Sequence, residues 1–95
     1  MSLPPRTREA ALAAIMAEVN AEKAASLARS GSAVEKALAA LAAAGPEDRL
    51  ARLPAARDAV WNLFVQREAM GQRDHRDVIA HYAIPPDVLR GLGQR

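Results

Sequence analysis

The sequence predicts an all-α protein, and three observations carry that reading. Apolar residues recur at three- and four-residue spacings over long stretches, glycine and proline stand where those stretches stop, and acidic residues precede a later apolar run where a helix start favours them. With 95 residues, the chain makes a single helical domain spanning 1–95.

The first element is the longest. Leu12, Ile15, Met16, Val19, Leu27, Val34, Leu38 and Leu41 fall within an arc of about 160° when successive residues advance by ~100°. Pro4, Pro5 and the candidate cap Thr7 precede this stripe, and Gly45-Pro46 closes it in the order expected of a helix end. Ser30-Gly31-Ser32 could interrupt it, because Ser32 and Glu35 form the S-x-x-E pattern of a capping box. The stripe nevertheless keeps its phase across Gly31, and a glycine inside a helix costs only about 1 kcal/mol. One long N-terminal helix over about 7–44 is therefore expected, with a kink possible at Gly31. At 1.5 Å per residue it would be on the order of 55 Å long.

After Pro46, Leu50 and Leu53 lie one turn apart and define a short helix over 47–53, which Pro54 should end. A central helix over 54–70 follows, ending at Gly71. Val60, Trp61, Leu63, Phe64 and Val65 spread around roughly 200° of it, so cover on more than one side is expected. Trp61 and Phe64, with Leu38 and Leu41 of the first helix, are the candidate core or interface anchors. Asp74 and Asp77 ahead of Val78-Ile79 read as a cap and an acidic first turn. A C-terminal helical hairpin over 75–92 is predicted, broken by Pro85-Pro86.

Composition limits how such a chain is stabilised. Hydrophobic residues make up 51%, but 23 of the residues are alanine, which buries little. Chains this short gain only a few kcal/mol from one core, and association is a common remedy, so a homodimer is expected. The absence of cysteine rules out disulfide and thiolate chemistry and fits a cytoplasmic location. The first residues lack a basic start followed by an apolar segment and a cleavage site, so no signal peptide is expected. The longest unbroken apolar runs, 10–17 and 37–44, are far short of the ~20 residues that a bilayer requires. Charge is spread evenly, with five basic and four acidic residues in 1–45 and eight and seven in 46–95. No basic face marks a nucleic-acid surface, so nucleic acid is not the expected partner.

Few residues invite chemistry. Arg67 lies about 20° from Val60 on the helical wheel, in the middle of an apolar face, and there it needs a carboxylate. Glu18 and Glu22 flank the stripe of the first helix, Lys23 lies within it, and Glu68 follows Arg67. These five residues form a candidate polar network. An anion site is one reading of it, and an ion pair that sets helix register is the favoured one. His75 and His81 with Asp74, Asp77 and Glu68 include metal-ligand types, and Asp77 with His81 is an i, i+4 pair, but H-E-x-x-H, paired E-x-x-H elements and cysteine are all lacking. The serines lack a nucleophile elbow, and no Gly-rich phosphate loop is present. No catalytic, cofactor or metal residue is assigned.

The alternative is a helix-turn-helix-like DNA-binding regulator using the hairpin 77–93, whose Val78, Tyr82, Ile84, Leu89 and Leu92 have compatible spacing. Against it, Ile79 stands where close helix packing wants a small residue and Ala83 where the turn prefers glycine. Its reading helix would begin Pro86-Asp87, with only Arg90 and Gln94 as readers. The first helix mixes charges on its polar face, which argues against residence on a membrane surface.

The stretches AEVNAEKAASLARSG and VWNLFVQREAMGQRDHRDVIAHYAIPPDVLRGLG resemble a small uncharacterised all-helical family from alphaproteobacteria, a domain of unknown function. The core V-W-x-x-x-V-Q-R-E-A-x-G is the specific part of the likeness. The resemblance implies a helical fold and a bacterial cytoplasmic setting, and it carries over no catalytic residues. The expected function is that of a non-enzymatic homodimeric interaction or adaptor module.

Overall fold

A computed structural model describes residues 5–93. It contains four helices: α1 (Pro5–Ala43), α2 (Pro46–Ala69), α3 (Arg76–His81) and α4 (Pro86–Arg90). Pro4 and Gln94, invoked above as a helix-start signal and a base reader, lie outside the described residues.

The long first helix is present and uninterrupted across Gly31, so the Ser32–Glu35 capping pattern goes unused. What justifies glycine there is a neighbour. A methyl group at Gly31 would sit 2.5 Å from the Tyr82 hydroxyl oxygen but an ordinary 3.6 Å from the ring carbon Cζ. Gly31→Ala should therefore destabilise the protein, even though alanine is favoured by about 1 kcal/mol in a helix interior. In a Tyr82→Phe background the same substitution should become neutral or stabilising. Thermal melts of the two singles and the double check this, and the same sign in both backgrounds would contradict it.

The predicted break at Pro54 does not occur. Segments 47–53 and 54–70 are one helix of 24 residues with Pro54 inside it. A mid-helix proline costs about 3 kcal/mol through its missing N–H and its ring. Leu53, Ala56, Val60, Leu63, Phe64 and Arg67 nevertheless form a single buried face across it, and that face anchors the helix on both sides. Pro54 and Leu50 are both exposed, so water can reach the carbonyl that loses its partner.

Helix ends follow from local chemistry. Gly45 caps α2 with extended backbone, and Pro46 takes the first helical position. Gly71, at φ +86°, ends α2. There the amides of Gln72 and Gly71 donate to the carbonyls of Arg67 and Glu68, as in a Schellman motif. The α3 end repeats this device without glycine. The Ile84 amide donates to the Ile79 carbonyl, and Ala83 adopts φ +50°. A left-handed alanine costs roughly 1 kcal/mol, so Ala83→Gly should raise stability by about that much, measured by denaturant midpoint.

The core is small. Val34 and Leu41 from α1 meet Leu53, Ala56, Val60, Leu63 and Phe64 from α2, and Ile84 and Val88 close its lower end. Leu38 is half-buried against it. Trp61 does not belong there: it is 45% exposed, and Val65 is similarly open. Among the described residues the central helix is thus covered by other helices on one broad face only, because α1 and the α3–α4 segment lie on the Val60–Phe64 side. The Trp61 ring instead lies beside the exposed Gly93, where a Cβ would stand 3.3 Å from it.

Candidate functional site

Two features stand out from the packed body: a polar junction at the end of α2, and the half of α1 that leaves the body. The junction centres on Arg67, which is 8% exposed on the buried face of α2. The turn at Gly71 reverses the chain and brings His75 back over Phe64, where the two rings stack at 4.1 Å. Arg67 Nε donates to His75 Nδ1 at 3.2 Å, and its Nη2 donates to the Asp74 carbonyl at 3.2 Å and to Asp77 Oδ1 at 2.9 Å. Since a guanidinium only donates, His75 Nδ1 must present its lone pair. Its proton then sits on Nε2 and points to Glu68 Oε2, 3.0 Å away.

The carboxylate that Arg67 requires is therefore Asp77, ten residues downstream. Of the five residues in the expected network, Arg67 and Glu68 are brought together through His75. Glu18, Glu22 and Lys23 stay exposed on α1, apart from the junction. Asp74 faces outward, where its carboxylate accepts the Arg76 amide at 3.0 Å and the Arg76 side chain. The Arg76 hydrogen bonds, side chain first, hold the Asp74 carboxyl below the usual carboxylate range. His75 takes the cap position of α3 while Asp74 supplies the accepting oxygen.

A second polar seam joins α1 to α2. Ser26 Oγ donates to Gln66 Oε1 at 2.8 Å, Ser30 Oγ donates to the Ser26 carbonyl at 3.1 Å, and Asn62 Nδ2 donates to Ser30 Oγ at 3.4 Å. The sequence carried a signal for it: Ser26 with Ser30 and Asn62 with Gln66 are both i, i+4 pairs, each on the face its helix presents to the other. At the opposite end, Arg49 forks onto both oxygens of Asp87, and Arg57 Nη2 donates to the Asp87 carbonyl at 2.8 Å. These contacts occupy the carboxylate and the backbone carbonyl of Asp87 in the first turn of α4, a helix of only five residues with Val88 fully buried.

A groove of about 430 Å³ runs between α1 and the α3–α4 turn, with Glu35, Leu38, Arg49, His81 and Tyr82 in its wall. Among the described residues no group of three or more His, Cys, Asp or Glu side chains is placed to hold a metal ion. Among the same residues, no helix is long and apolar enough to cross a membrane.

The other feature is the projecting half of α1. Every residue from Arg6 to Ala25 is exposed, a length of ~30 Å at 1.5 Å per residue. The described chain extends 65 Å in its long direction but only 25 and 21 Å across. Along this rod Leu12, Ile15, Met16 and Val19 are 60, 57, 49 and 37% exposed. They keep the phase of the face that, farther along, buries Val34 and Leu41.

These features define a small all-α protein: an antiparallel helical pair, capped by a short helical hairpin, with one helix running well past its partner. The chain belongs to the family of unknown function DUF6665, which matches residues 5–95. No curated protein and no solved structure matches it.

Proposed function

We propose that this protein is a non-enzymatic helical interaction module that works as a homodimer, in the bacterial cytoplasmic setting the family resemblance implies. The supporting observation is the bare apolar stripe on the projecting half of α1. Four large side chains on one face, in register with a buried stripe, form the kind of contiguous apolar patch that marks a contact surface. The polar groups fit a structural role better than a chemical one. Arg67, His75 and Asp77 clasp α2 to α3, and the Ser26 and Ser30 hydroxyls are committed to Gln66 and to the helix backbone.

The DNA-binding alternative finds less support. Its reading helix is five residues long, and Asp87 at its start is held by Arg49.

Sedimentation equilibrium tests the homodimer. The wild type should be dimeric at micromolar concentration. The double variant Leu12→Glu with Val19→Glu should be monomeric while keeping the core, because two carboxylates would have to be desolvated in each copy. A monomeric wild type, or a double variant that dimerises as well as the parent, overturns the reading.

A further inference from the structure

The two sides of the proline inside α2 are held very unequally. Beyond Pro54, the face of α2 turned to the body buries Ala56, Val60, Leu63, Phe64 and Arg67. Ahead of it, in the two turns that start at Pro46, Leu53 is the only buried residue and Leu50 stands open to water. Pro54 has no N–H to donate to the Leu50 carbonyl, so one of the backbone bonds that would join the two parts is missing. The first two turns are thus tied to the rest of α2 by a weakened ladder and to the core by one leucine.

What secures them lies on α4. Arg49, Leu53 and Arg57 follow at four-residue spacing and share one face of α2, with Pro54 between the two arginines. Both arginines reach the same residue. Arg49, ahead of the proline, donates from Nε to Asp87 Oδ2 at 3.2 Å and from Nη2 to Oδ1 at 3.0 Å, a two-pronged charge-assisted contact. A further contact from Arg49, to the Leu41 carbonyl, is long at 3.5 Å. Arg57, beyond the proline, donates from Nη2 to the Asp87 carbonyl at 2.8 Å. Its guanidinium lies directly on the buried Gly91, where a Cβ would collide with it. Asp87 therefore bridges the two parts of α2 from outside the helix, across the point where the backbone bond is lost.

We propose that α4 is a latch on a proline joint. Asp87, gripped by Arg49 and Arg57, keeps the first two turns of α2 in line with the rest, and release of the Arg49 contact frees those turns to open while the body stays folded. The tie is of a releasable kind. The Arg49 and Asp87 side chains keep 34 and 28% of their surface in water, which can take over either partner when the pair separates. Segments secured by few buried apolar contacts open locally at less cost than global unfolding. Arg49 also stands in the wall of the 430 Å³ groove beside Leu38 and Leu41, so opening of the joint takes that wall away and the latch gates the groove.

Native-state hydrogen exchange on the full chain tests the latch. The amides of residues 50–53 report on the first two turns, and those of residues 60–64 report on the body. Arg49→Met keeps most of the side-chain stem and removes the charge. It should speed exchange at 50–53 by about tenfold or more and change 60–64 by less than about threefold. Pro54→Ala, at an exposed position, restores the missing backbone bond. In that background Arg49→Met should change exchange at 50–53 by less than about threefold, because the helix then spans the joint unaided. An equal acceleration in both backgrounds, no acceleration in either, or a parallel acceleration at 60–64 overturns the latch.

Discussion

Phe64→Ala should lower stability by about 3–5 kcal/mol, the range for emptying a buried phenylalanine site. At roughly 4–8 °C per kcal/mol for a domain of this size, the midpoint of thermal unfolding should drop by more than ~10 °C. The effect is large because Phe64 serves two contacts. Its side chain closes the core with Val60 and Leu63, and its face carries the stacked His75 that starts the return of the chain. Trp61→Ala removes a larger side chain from the preceding turn and should cost much less, since nearly half of Trp61 already faces water. Differential scanning calorimetry on the two variants decides between them. A Trp61 loss as large as the Phe64 loss would mean that Trp61 is covered in solution.

Arg67→Ala should cost about 2–4 kcal/mol, from lost packing of the side-chain stem and from the acceptors of three hydrogen bonds. Arg67→Leu should be milder, because leucine refills the apolar face of α2 and the Asp77 carboxylate among the stranded acceptors lies toward solvent. Asp77, with a side chain 70% exposed, can be rehydrated when its partner is gone. Asp77→Asn should therefore be the mildest of the three, since an exposed pair partner contributes only a fraction of a kcal/mol to about 1 kcal/mol. Urea denaturation of the three variants gives the order, and equal losses for alanine and leucine would show that the charge, not the volume, matters at this position.

Much of the helical plan was legible because it rests on periodicity. The stripe through Gly31 held its phase, and one helix follows. Gly45-Pro46, Gly71 and Pro85-Pro86 ended or opened helices where backbone chemistry required it. Pro54 misled for a physical reason: the local cost of proline is readable from the sequence, but the buried face from Leu53 to Arg67 that outweighs it is a property of packing. Trp61 misled similarly. A wheel shows how wide an apolar arc is, but not which part of it a neighbouring helix will cover. The partner of Arg67 was misplaced because the wheel says nothing of what the chain does after Gly71. That turn brings Asp77 and His75 back to a face that Glu18 and Glu22 of α1 never approach. The bare stripe was visible as a pattern, while its exposure required knowing where α2 ends.

The unequal length of the two paired helices also bears on folding. Past Ala25, α1 loses the tertiary contacts that usually stabilise helices, and each further turn adds only a marginal propagation gain. The outer turns of a solitary chain are then balanced between order and fraying, and whatever covers them tips that balance. Ellipticity at the helix minimum should in consequence rise with protein concentration, so that secondary structure and association titrate together in one transition.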